Sequence, residues 1–436
     1  MGEVRVFEQP TRFGPELRGM RLAAGMTLES LAQRVHFSKG HLSKVERGQQ
    51  RPSPELARLC DAALEAGGAL VSLVPGRAPV TPPAQTSSTT DDEVWSMHLS
   101  PDGASWFQPL PRRDVVAGAA ASVVRLGLGA PRPAEELKAT TVLEAYASLF
   151  AQYRKLGQAA GPEVLLPALI AQTHTLRSLA QRSGPRTRDG LLRLASRYAE
   201  YIGWLVQETG DDASALWWTQ RAVDMAAAGG DHDLAAYALV RRALITLYRG
   251  DGAETVALAQ QAQTGGLPPR IRGLASQREA QGHALAGDYD ACMRCLDRAR
   301  ELLAVPSADK LSPVLGTTSL TDPVAMVTGW CLYDLGRPRQ AAETLDEQVA
   351  GLPVGALRSH TRYGLRQALA HAAAGDVDRA CDVAGPLLGT TVSVGSATVA
   401  TDLGRLERTL ARHSRNASVR VLAPELTAAL RAVRTR

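Results

Sequence analysis

The stretch TLESLAQRVHFSKGHLSKVERGQQRPS, residues 27–53, decides the fold of the N-terminal part of the chain. It holds three hydroxyl residues of the kind that cap helices, Thr27, Ser38 and Ser53, and each precedes apolar residues at helical spacing. Gly48 follows the second of these runs, where glycine ends a helix readily because it tolerates positive φ. The stretch therefore predicts short helices separated by tight turns.

The same pattern extends outward on both sides and predicts five short helices. Their predicted ranges are 13–24, 28–35, 39–47, 54–64 and 69–74. Apolar residues at helical spacing predict one small core. The predicted core residues are Leu17, Met20, Leu28, Leu31, Ala32, Val35, Leu42, Val45, Leu56, Leu59 and Leu64.

Residues 13–74 closely resemble the five-helix domain of the lambda Cro and repressor (Xre) family, and residues 27–53 resemble its helix-turn-helix motif. In that family, the second helix of the motif lies in the DNA major groove with its N-terminal residues at the base edges. The resemblance implies base-reading positions at Lys39, Gly40, His41, Ser43 and Lys44. It also implies phosphate contacts, through side chains or helix N-terminal amides, at Thr27, Ser38, Arg47, Gln50 and Arg51.

Lys39 and Gly40 depart from the family, which often carries Gln or Asn at the first base-reading positions. The lysines Lys39 and Lys44 favour guanine O6 and N7 acceptors in the DNA site. Gly40 leaves a gap where a base-reading side chain could stand, so specificity is expected to rest on fewer contacts. The alternative is a domain of this fold that serves protein contacts alone.

A composition change separates this domain from the rest of the chain. Residues 75–90, PGRAPVTPPAQTSSTT, are rich in Pro, Ser and Thr, as linkers are. Residues 91–133 show no clear period and include two isolated tryptophans, Trp95 and Trp106. We therefore expect a linker and irregular segment over 75–133.

Helical periodicity then continues from residue 134 almost to residue 436, with no convincing strand. Glycine followed by Asp or Arg recurs every 37 to 49 residues between helical segments, at Gly210, Gly250, Gly287, Gly336 and Gly375. Small residues stand seven positions before and five positions after each glycine, as close packing of two helices requires. These small residues are Gly203, Ala243, Ala280, Gly329, Ala368, Ala215, Thr255, Cys292, Ala341 and Ala380.

This spacing resembles the tetratricopeptide repeat of about 34 residues, with longer connections here. The resemblance implies a tetratricopeptide-like sensor or interaction domain over 134–436, with core repeats at about 186–390. It also implies an effector groove that suits an extended peptide. The alternative is that the aromatic residues assigned to this groove pack between adjacent repeats. The implied groove residues are Arg197, Glu200, Trp204, Tyr237, Tyr248, Gln277, Gln281, Trp330, Tyr333 and Arg362.

Composition excludes several other classes of protein. A chain of 436 residues has room for two or three domains, and its net charge of +5 permits but does not demand an anionic partner. Its five cysteines are scattered and odd in number, which favours free thiols in a reducing compartment. The longest apolar run, residues 115–124, is about half the length of a membrane-spanning helix. We therefore expect a cytoplasmic protein.

No catalytic or metal motif emerges from the sequence. The pair Cys292 and Cys295 has CxxC spacing, but no second CxxC exists, and Cys292 stands at a repeat position that requires a small residue. HExxH, GxSxG and glycine-rich phosphate loops are absent from the sequence. We expect no enzyme activity, no catalytic residue, no cofactor and no metal.

Together these patterns predict an all-α protein, in which a helix-turn-helix domain precedes a tetratricopeptide α-solenoid. The layout resembles one-component regulators of Gram-positive bacteria, and it is similar along the full length to actinobacterial regulators of development and secondary metabolism. The resemblance implies a homodimeric transcriptional regulator that binds double-stranded operator DNA and whose array binds a peptide, small-molecule or protein effector. The alternative is a tetratricopeptide scaffold that recruits a partner protein, with the N-terminal domain as a tether.

Overall fold

The computed structural model describes residues 13–74, 94–99, 105–110, 139–306 and 313–434. The chain divides into two compact units. The first contains residues 1–79, 235–308 and 314–436, and the second contains residues 80–234 and 309–313. The all-α fold class is confirmed, because helices make up nearly all of the regular structure in the described residues.

The N-terminal domain consists of five helices, as expected. They are α1 (Phe13–Ala23), α2 (Leu28–Arg34), α3 (Lys39–Glu46), α4 (Pro54–Ala63) and α5 (Ala69–Ser72). The hydroxyls of Thr27, Ser38 and Ser53 accept hydrogen bonds from backbone N–H groups three residues on, at 3.0, 3.2 and 3.1 Å. These three caps confirm the predicted starts of α2, α3 and α4.

The predicted core is largely confirmed. Met20, Leu28 and Leu64 pack at its edge, and the other predicted core residues are buried. The structure adds Phe13, which is wholly buried although it is the first residue of α1. The further buried apolar residues of this domain are Ala57, Cys60 and Leu70.

Asp61 of α4 fixes the short helix α5. Its carboxylate accepts hydrogen bonds from the backbone N–H groups of Gly68 at 2.8 Å, Leu70 at 2.8 Å and Val71 at 3.3 Å. Asp61 is buried, and the N–H groups at a helix start have no partner within the helix. The Asp61 carboxylate therefore caps the N-terminus of α5.

Replacing Asp61 with alanine is expected to destabilise this domain by about 2–4 kcal/mol, because buried N–H groups lose their acceptor. Hydrogen-exchange mass spectrometry of peptides from residues 13–74, in the full chain, measures the effect. Asp297→Ala is the control, since Asp297 forms an exposed ion pair with Arg300 and should change stability by under about 0.5 kcal/mol. Unchanged protection of α5 in Asp61→Ala would contradict this account.

The described residues of the second unit form a β-hairpin and four helices. Strand β1 (Val94–Leu99) pairs antiparallel with β2 (Ser105–Leu110), with Val94 opposite Leu110. The helices are α6 (Ala139–Leu156), α7 (Pro162–Gln181), α8 (Pro185–Glu208) and α9 (Asp212–Ala228).

The hairpin corrects the expectation of an irregular segment across 75–133. Apolar and polar residues alternate in β1, and Asp102-Gly103 is a strong turn signal between the strands. The two strands are short, which is why the alternation did not stand out from its surroundings. The remainder of 75–133 lies outside the described residues.

The first unit continues with the helices that follow the boundary at residue 234. They are α10 (Leu234–Arg249), α11 (Gly252–Gln261), α12 (Pro269–Ala286), α13 (Tyr289–Ala304), α14 (Pro323–Asp334), α15 (Pro338–Ala350), α16 (Leu357–Ala373), α17 (Val377–Ala384), a 3-10 turn (Gly385–Leu387), α18 (Leu388–Val394), α19 (Ala397–Ala411) and α20 (Ala417–Arg434). None of the helices that the structure describes combines the length and apolar character of a membrane span.

The five recurring glycines separate consecutive helices, as the spacing predicts. They are Gly210, Gly250, Gly287, Gly336 and Gly375. All five glycines have positive φ, between 72° and 90°. In three of the five turns the next residue, Asp211, Asp251 or Asp288, caps the following helix through its carboxylate. The Gly-Asp pair thus ends one helix and starts the next within two residues.

Candidate nucleic-acid interface

Helix α3 exposes three of the predicted base-reading positions and buries its core residues. Leu42 and Val45 are buried, whereas Lys39, Gly40 and Lys44 are exposed. A Cβ at Gly40 would meet no atom of the described residues within 4 Å. The face that the sequence assigned to base contacts is therefore accessible to a ligand.

Lys39 is held by a weak ion pair. Its Nζ lies 2.9 Å from Oε2 of Glu29 on α2, and both side chains are more than half exposed. Such exposed pairs contribute under about 1 kcal/mol and exchange readily for a phosphate or a base acceptor. Glu29 therefore orients Lys39 without sequestering it.

His41 and Ser43 are half-buried. The His41 ring lies 5.3 Å from that of Phe37, and its buried Nε2 has no hydrogen-bond partner among the described residues. Burial, together with the positive charges of Arg412 and Lys44, lowers the pKa of His41. Its imidazole is therefore held in the neutral form near neutral pH, a state in which it donates and accepts hydrogen bonds.

All five predicted phosphate-contact residues are exposed. The hydroxyls of Thr27 and Ser38 accept their capping hydrogen bonds and retain one O–H each for donation. Arg47 donates from Nε to the Ser43 carbonyl at 3.1 Å, which leaves the ends of its guanidinium outward. The remaining two residues of the set are Gln50 and Arg51.

Two features that the sequence analysis missed hold α3 in place. A Cβ at Gly14 of α1 would lie 2.5 Å from the Val45 carbonyl oxygen and 2.7 Å from that of Glu46. Arg21 of α1 binds both carboxylate oxygens of Glu46, at 2.7 and 2.9 Å, and the pair is buried. Close backbone approach and a two-point ion pair thus join α1 to α3.

Within the first unit, the N-terminal domain packs against the turns that follow three repeat helices. These turns centre on Gly287, Gly336 and Gly375, which we call the repeat-turn row. Gly68 lies against Gly287, with 2.8 Å between its Cα and a Cβ built at Gly287. The carbonyl of Arg58 covers Gly336, and the ring of His36 covers Gly375. A Cβ at Gly287 or Gly336 would meet the backbone of the domain, and one at Gly375 would meet the His36 ring.

Arg412, at the end of α19, makes the polar part of this contact. Its guanidinium binds both carboxylate oxygens of Glu55 at 2.9 and 3.0 Å and lies 4.3 Å from the centre of the Phe37 ring. Burial, with the charge of Arg412 as a further cause, lowers the pKa values of the nearby His36 and His413. The contact thus combines an ion pair, a cation–π interaction and neutral imidazoles.

The contact leaves three of the predicted base-reading positions of α3 exposed. It uses the turn before α3 together with α4 and the segment before α5, whereas Lys39, Gly40 and Lys44 stay exposed. The repeat-turn row therefore packs against the domain without covering Lys39, Gly40 and Lys44.

The predicted effector-groove residues divide between the two units. In the second unit, Arg197 forms an ion pair with Asp231 at 2.9 Å, Trp204 stacks on Tyr201, and Glu200 is half-buried. In the first unit, Arg362 donates to Thr398. Tyr248 is half-buried there. The other predicted groove residues of the first unit are all buried: Tyr237, Gln277, Gln281, Trp330 and Tyr333.

Trp330 illustrates the packing alternative for this set. The guanidinium of Arg366 lies 3.6 Å from the centre of its ring, and Arg366 in turn binds Asp402 at 2.8 Å. Tyr248 lies beside Trp330, with 5.7 Å between ring centres. This burial favours inter-repeat packing for Trp330, as weighed from the sequence.

The N-terminal fold and its exposed second motif helix define a helix-turn-helix domain, and known proteins agree. Residues 12–74 match the helix-turn-helix domain family. The transcriptional regulator ClgR of Mycobacterium tuberculosis, in strains CDC 1551 / Oshkosh and ATCC 25618 / H37Rv, is 30% identical over 96 residues, which span 20% of this chain and 86% of ClgR. The chain belongs to this family of helix-turn-helix transcriptional regulators. No solved structure matches the chain significantly.

Proposed function

We propose that the protein is a sequence-specific DNA-binding transcriptional regulator that reads the major groove with α3. The observation that carries this proposal is the exposure of Lys39 and Lys44 on a helix whose other side is anchored in the core. Lysine side chains reach guanine O6 and N7 in the major groove. The exposed residues around the two helix N-termini supply the phosphate contacts that set register.

The regulator acts as a homodimer on a two-fold operator. A dimer is favoured because one small domain seldom reaches specific affinity alone, whereas two half-sites bind together.

The array of helix pairs is of the tetratricopeptide type. The array binds a peptide, small-molecule or protein effector, a role supported by its regular helix pairs and its half-buried polar and aromatic residues.

The repeat-turn row is the element that couples effector binding to DNA binding. It contacts the N-terminal domain at three consecutive repeat turns, so a change in stacking of the repeats changes the orientation of α3. In a dimer this change alters the spacing between the two α3 helices, and with it the match to the half-sites.

The test of DNA reading is selection from a random duplex library by the purified full chain. We expect enrichment of a two-fold site, with half-site centres about 10 base pairs apart or a multiple of that spacing. Binding of the selected duplex should weaken steeply with salt and remain tighter than binding of a scrambled duplex. Equal, weak binding of all duplexes would overturn the proposal in favour of the scaffold alternative.

Arg412→Gln is expected to weaken binding of the correctly spaced duplex by about 5- to 30-fold, because it removes the ion pair with Glu55 that orients α3. Binding of a single half-site should stay unchanged, since Arg412 is outside the base-reading set. Fluorescence anisotropy on duplexes of varied half-site spacing measures both quantities. The control is Arg300→Gln, which removes an exposed ion pair elsewhere. An Arg412→Gln protein with wild-type spacing preference would show that the row does not orient α3.

A further inference from the structure

The pair of helices α12 and α13 brings together three side chains of the types that bind transition metals. They are Glu279 and His283, one turn apart on α12, and Cys295 on α13. One carboxylate oxygen, one imidazole nitrogen and the sulfur all lie within 4.8 Å of one another. Their chemistry, one oxygen, one nitrogen and one sulfur ligand, is that of a zinc site.

The carboxylate of Glu279 is fixed in orientation by its neighbours. Its Oε2 accepts hydrogen bonds from Gln263 at 2.8 Å and from Arg298 at 3.3 Å. Its Oε1 accepts one from Gln260 at 3.0 Å and lies 3.9 Å from Nε2 of His283. Oε1 is thus the oxygen on the histidine side, and the Gln263 amide holds Oε2 from behind, as outer groups hold a metal-binding carboxylate.

Glu279 is ionised, as a ligand must be. Burial alone would raise the pKa of Glu279, but the nearby His283 ring, hydrogen bonds from Gln263 and Gln260, and the charge of Arg298 lower the pKa to about 2. The side chain is buried, so this charge is not spread into solvent.

The two ring nitrogens of His283 face two different carboxylates. While Nε2 faces Glu279, Nδ1 lies 3.9 Å from a carboxylate oxygen of Asp288, the residue that caps α13. A carboxylate behind the other ring nitrogen is the usual partner of a zinc-bound imidazole. About a fifth of the His283 side chain is exposed, which gives a metal ion and a water ligand access.

The Cys295 thiol is buried beside the same carboxylate. Burial and the negative charge of Glu279 raise its pKa to about 12, so the thiol keeps its proton in the absence of a cation. A zinc ion replaces that proton and pairs with the thiolate, which removes the repulsion between sulfur and carboxylate.

We propose that Glu279, His283 and Cys295 form a zinc-binding site with a water molecule as the fourth ligand. The site joins α12 to α13 across the turn that carries Gly287 of the repeat-turn row. Arg298 is the one cation in contact with the ligands among the described residues, and its side chain is about half exposed. The proposal is independent of the proposed function.

The CxxC spacing suggested a different and less suitable ligand set. Cys292, the first cysteine of the CxxC pair, lies beside Cys331 of α14 in the buried core and not beside Glu279 and His283. The side chains beside Cys295 are Glu279 and His283 of the preceding helix. Their distance from Cys295 in the sequence matches no familiar metal-binding motif.

Titration of the metal-free full chain with Co²⁺ tests the site, because thiolate coordination gives a charge-transfer band in the near ultraviolet. We expect one ion per chain with this band, displacement by Zn²⁺, and release of about one proton per ion. Cys295→Ser should abolish the band and His283→Gln should weaken binding at least tenfold. Cys381→Ser, a buried cysteine of α17, is the matched control and should bind as the wild type does.

Arg298→Gln separates a metal site from a purely structural hydrogen-bond cluster. Arg298 is half exposed, so the variant should fold, and loss of its positive charge should tighten Co²⁺ binding by about tenfold. Absence of a thiolate band in the wild type would overturn the proposal. A band that survives Cys295→Ser, or an Arg298→Gln protein with weaker metal binding, would overturn it equally.

Discussion

Replacing Gly14 with alanine is expected to destabilise the helix-turn-helix domain by about 3 kcal/mol or more, because the new methyl group meets backbone and not a side chain that can turn away. The added Cβ would lie 2.5 and 2.7 Å from the carbonyl oxygens of Val45 and Glu46. Relief requires α1 to move away from α3, and that movement breaks the buried ion pair between Arg21 and Glu46.

A domain of this size has only a few kcal/mol of stability, so most Gly14→Ala molecules should lack a folded DNA-binding domain. Hydrogen-exchange mass spectrometry of residues 13–74 in the full chain should show nearly complete loss of protection, with the array unaffected. Gly19→Ala is a matched control on the same helix, since a methyl group there meets nothing within 4 Å. It should stabilise α1 by about 0.5–1 kcal/mol. Equal protection in both variants would contradict the close packing of α1 on α3.

The double substitution Lys39→Ala/Lys44→Ala is expected to weaken binding of the selected duplex by about 30- to 1000-fold. Each lysine contact to a base is worth about 1–3 kcal/mol, and both side chains are exposed on α3. Binding of scrambled DNA should weaken far less, because Arg47 and Arg51 remain to contact phosphates.

Anisotropy titrations over a salt series measure both effects, and the salt slope should fall by at most about 2. Lys155→Ala is the control, since Lys155 is an exposed lysine on α6 far along the chain from the motif. Hydrogen exchange of residues 13–74 should be the same in all three proteins. A double variant that keeps wild-type preference for the selected duplex would show that α3 does not read the bases.

The N-terminal domain could be predicted closely from sequence because its signals are local. Thr27, Ser38 and Ser53 cap the helices where expected, and the exposed positions of α3 follow from the apolar spacing of Leu42 and Val45. The five recurring glycines could also be predicted to end helices, and each has positive φ at a helix end. Short-range chemistry decides such features, and the sequence displays it directly.

Features that depend on residues far apart in the chain could not be predicted. The pairing of Arg21 with Glu46, of Arg412 with Glu55, and of Cys295 with Glu279 requires knowledge of which helices meet. The burial of Trp330 beneath Arg366 could not be predicted either, because the sequence does not distinguish an exposed aromatic residue from a buried one.

The same limit explains the error at residues 94–110. The strand Val94–Leu99 is only six residues long, and its alternation is set among prolines and glycines that also suit a linker. The segment forms a strand because it pairs with Ser105–Leu110, and such pairing depends on tertiary context.

The most direct test of the central claim, that α3 reads bases in the major groove, is protection of guanine N7 from dimethyl sulfate in the selected duplex. The wild-type chain should protect guanines in two half-sites about 10 base pairs apart or a multiple of that spacing, and the Lys39→Ala/Lys44→Ala chain should lose protection at those guanines. Guanines that remain equally protected by both chains, or that neither chain protects, would contradict the account.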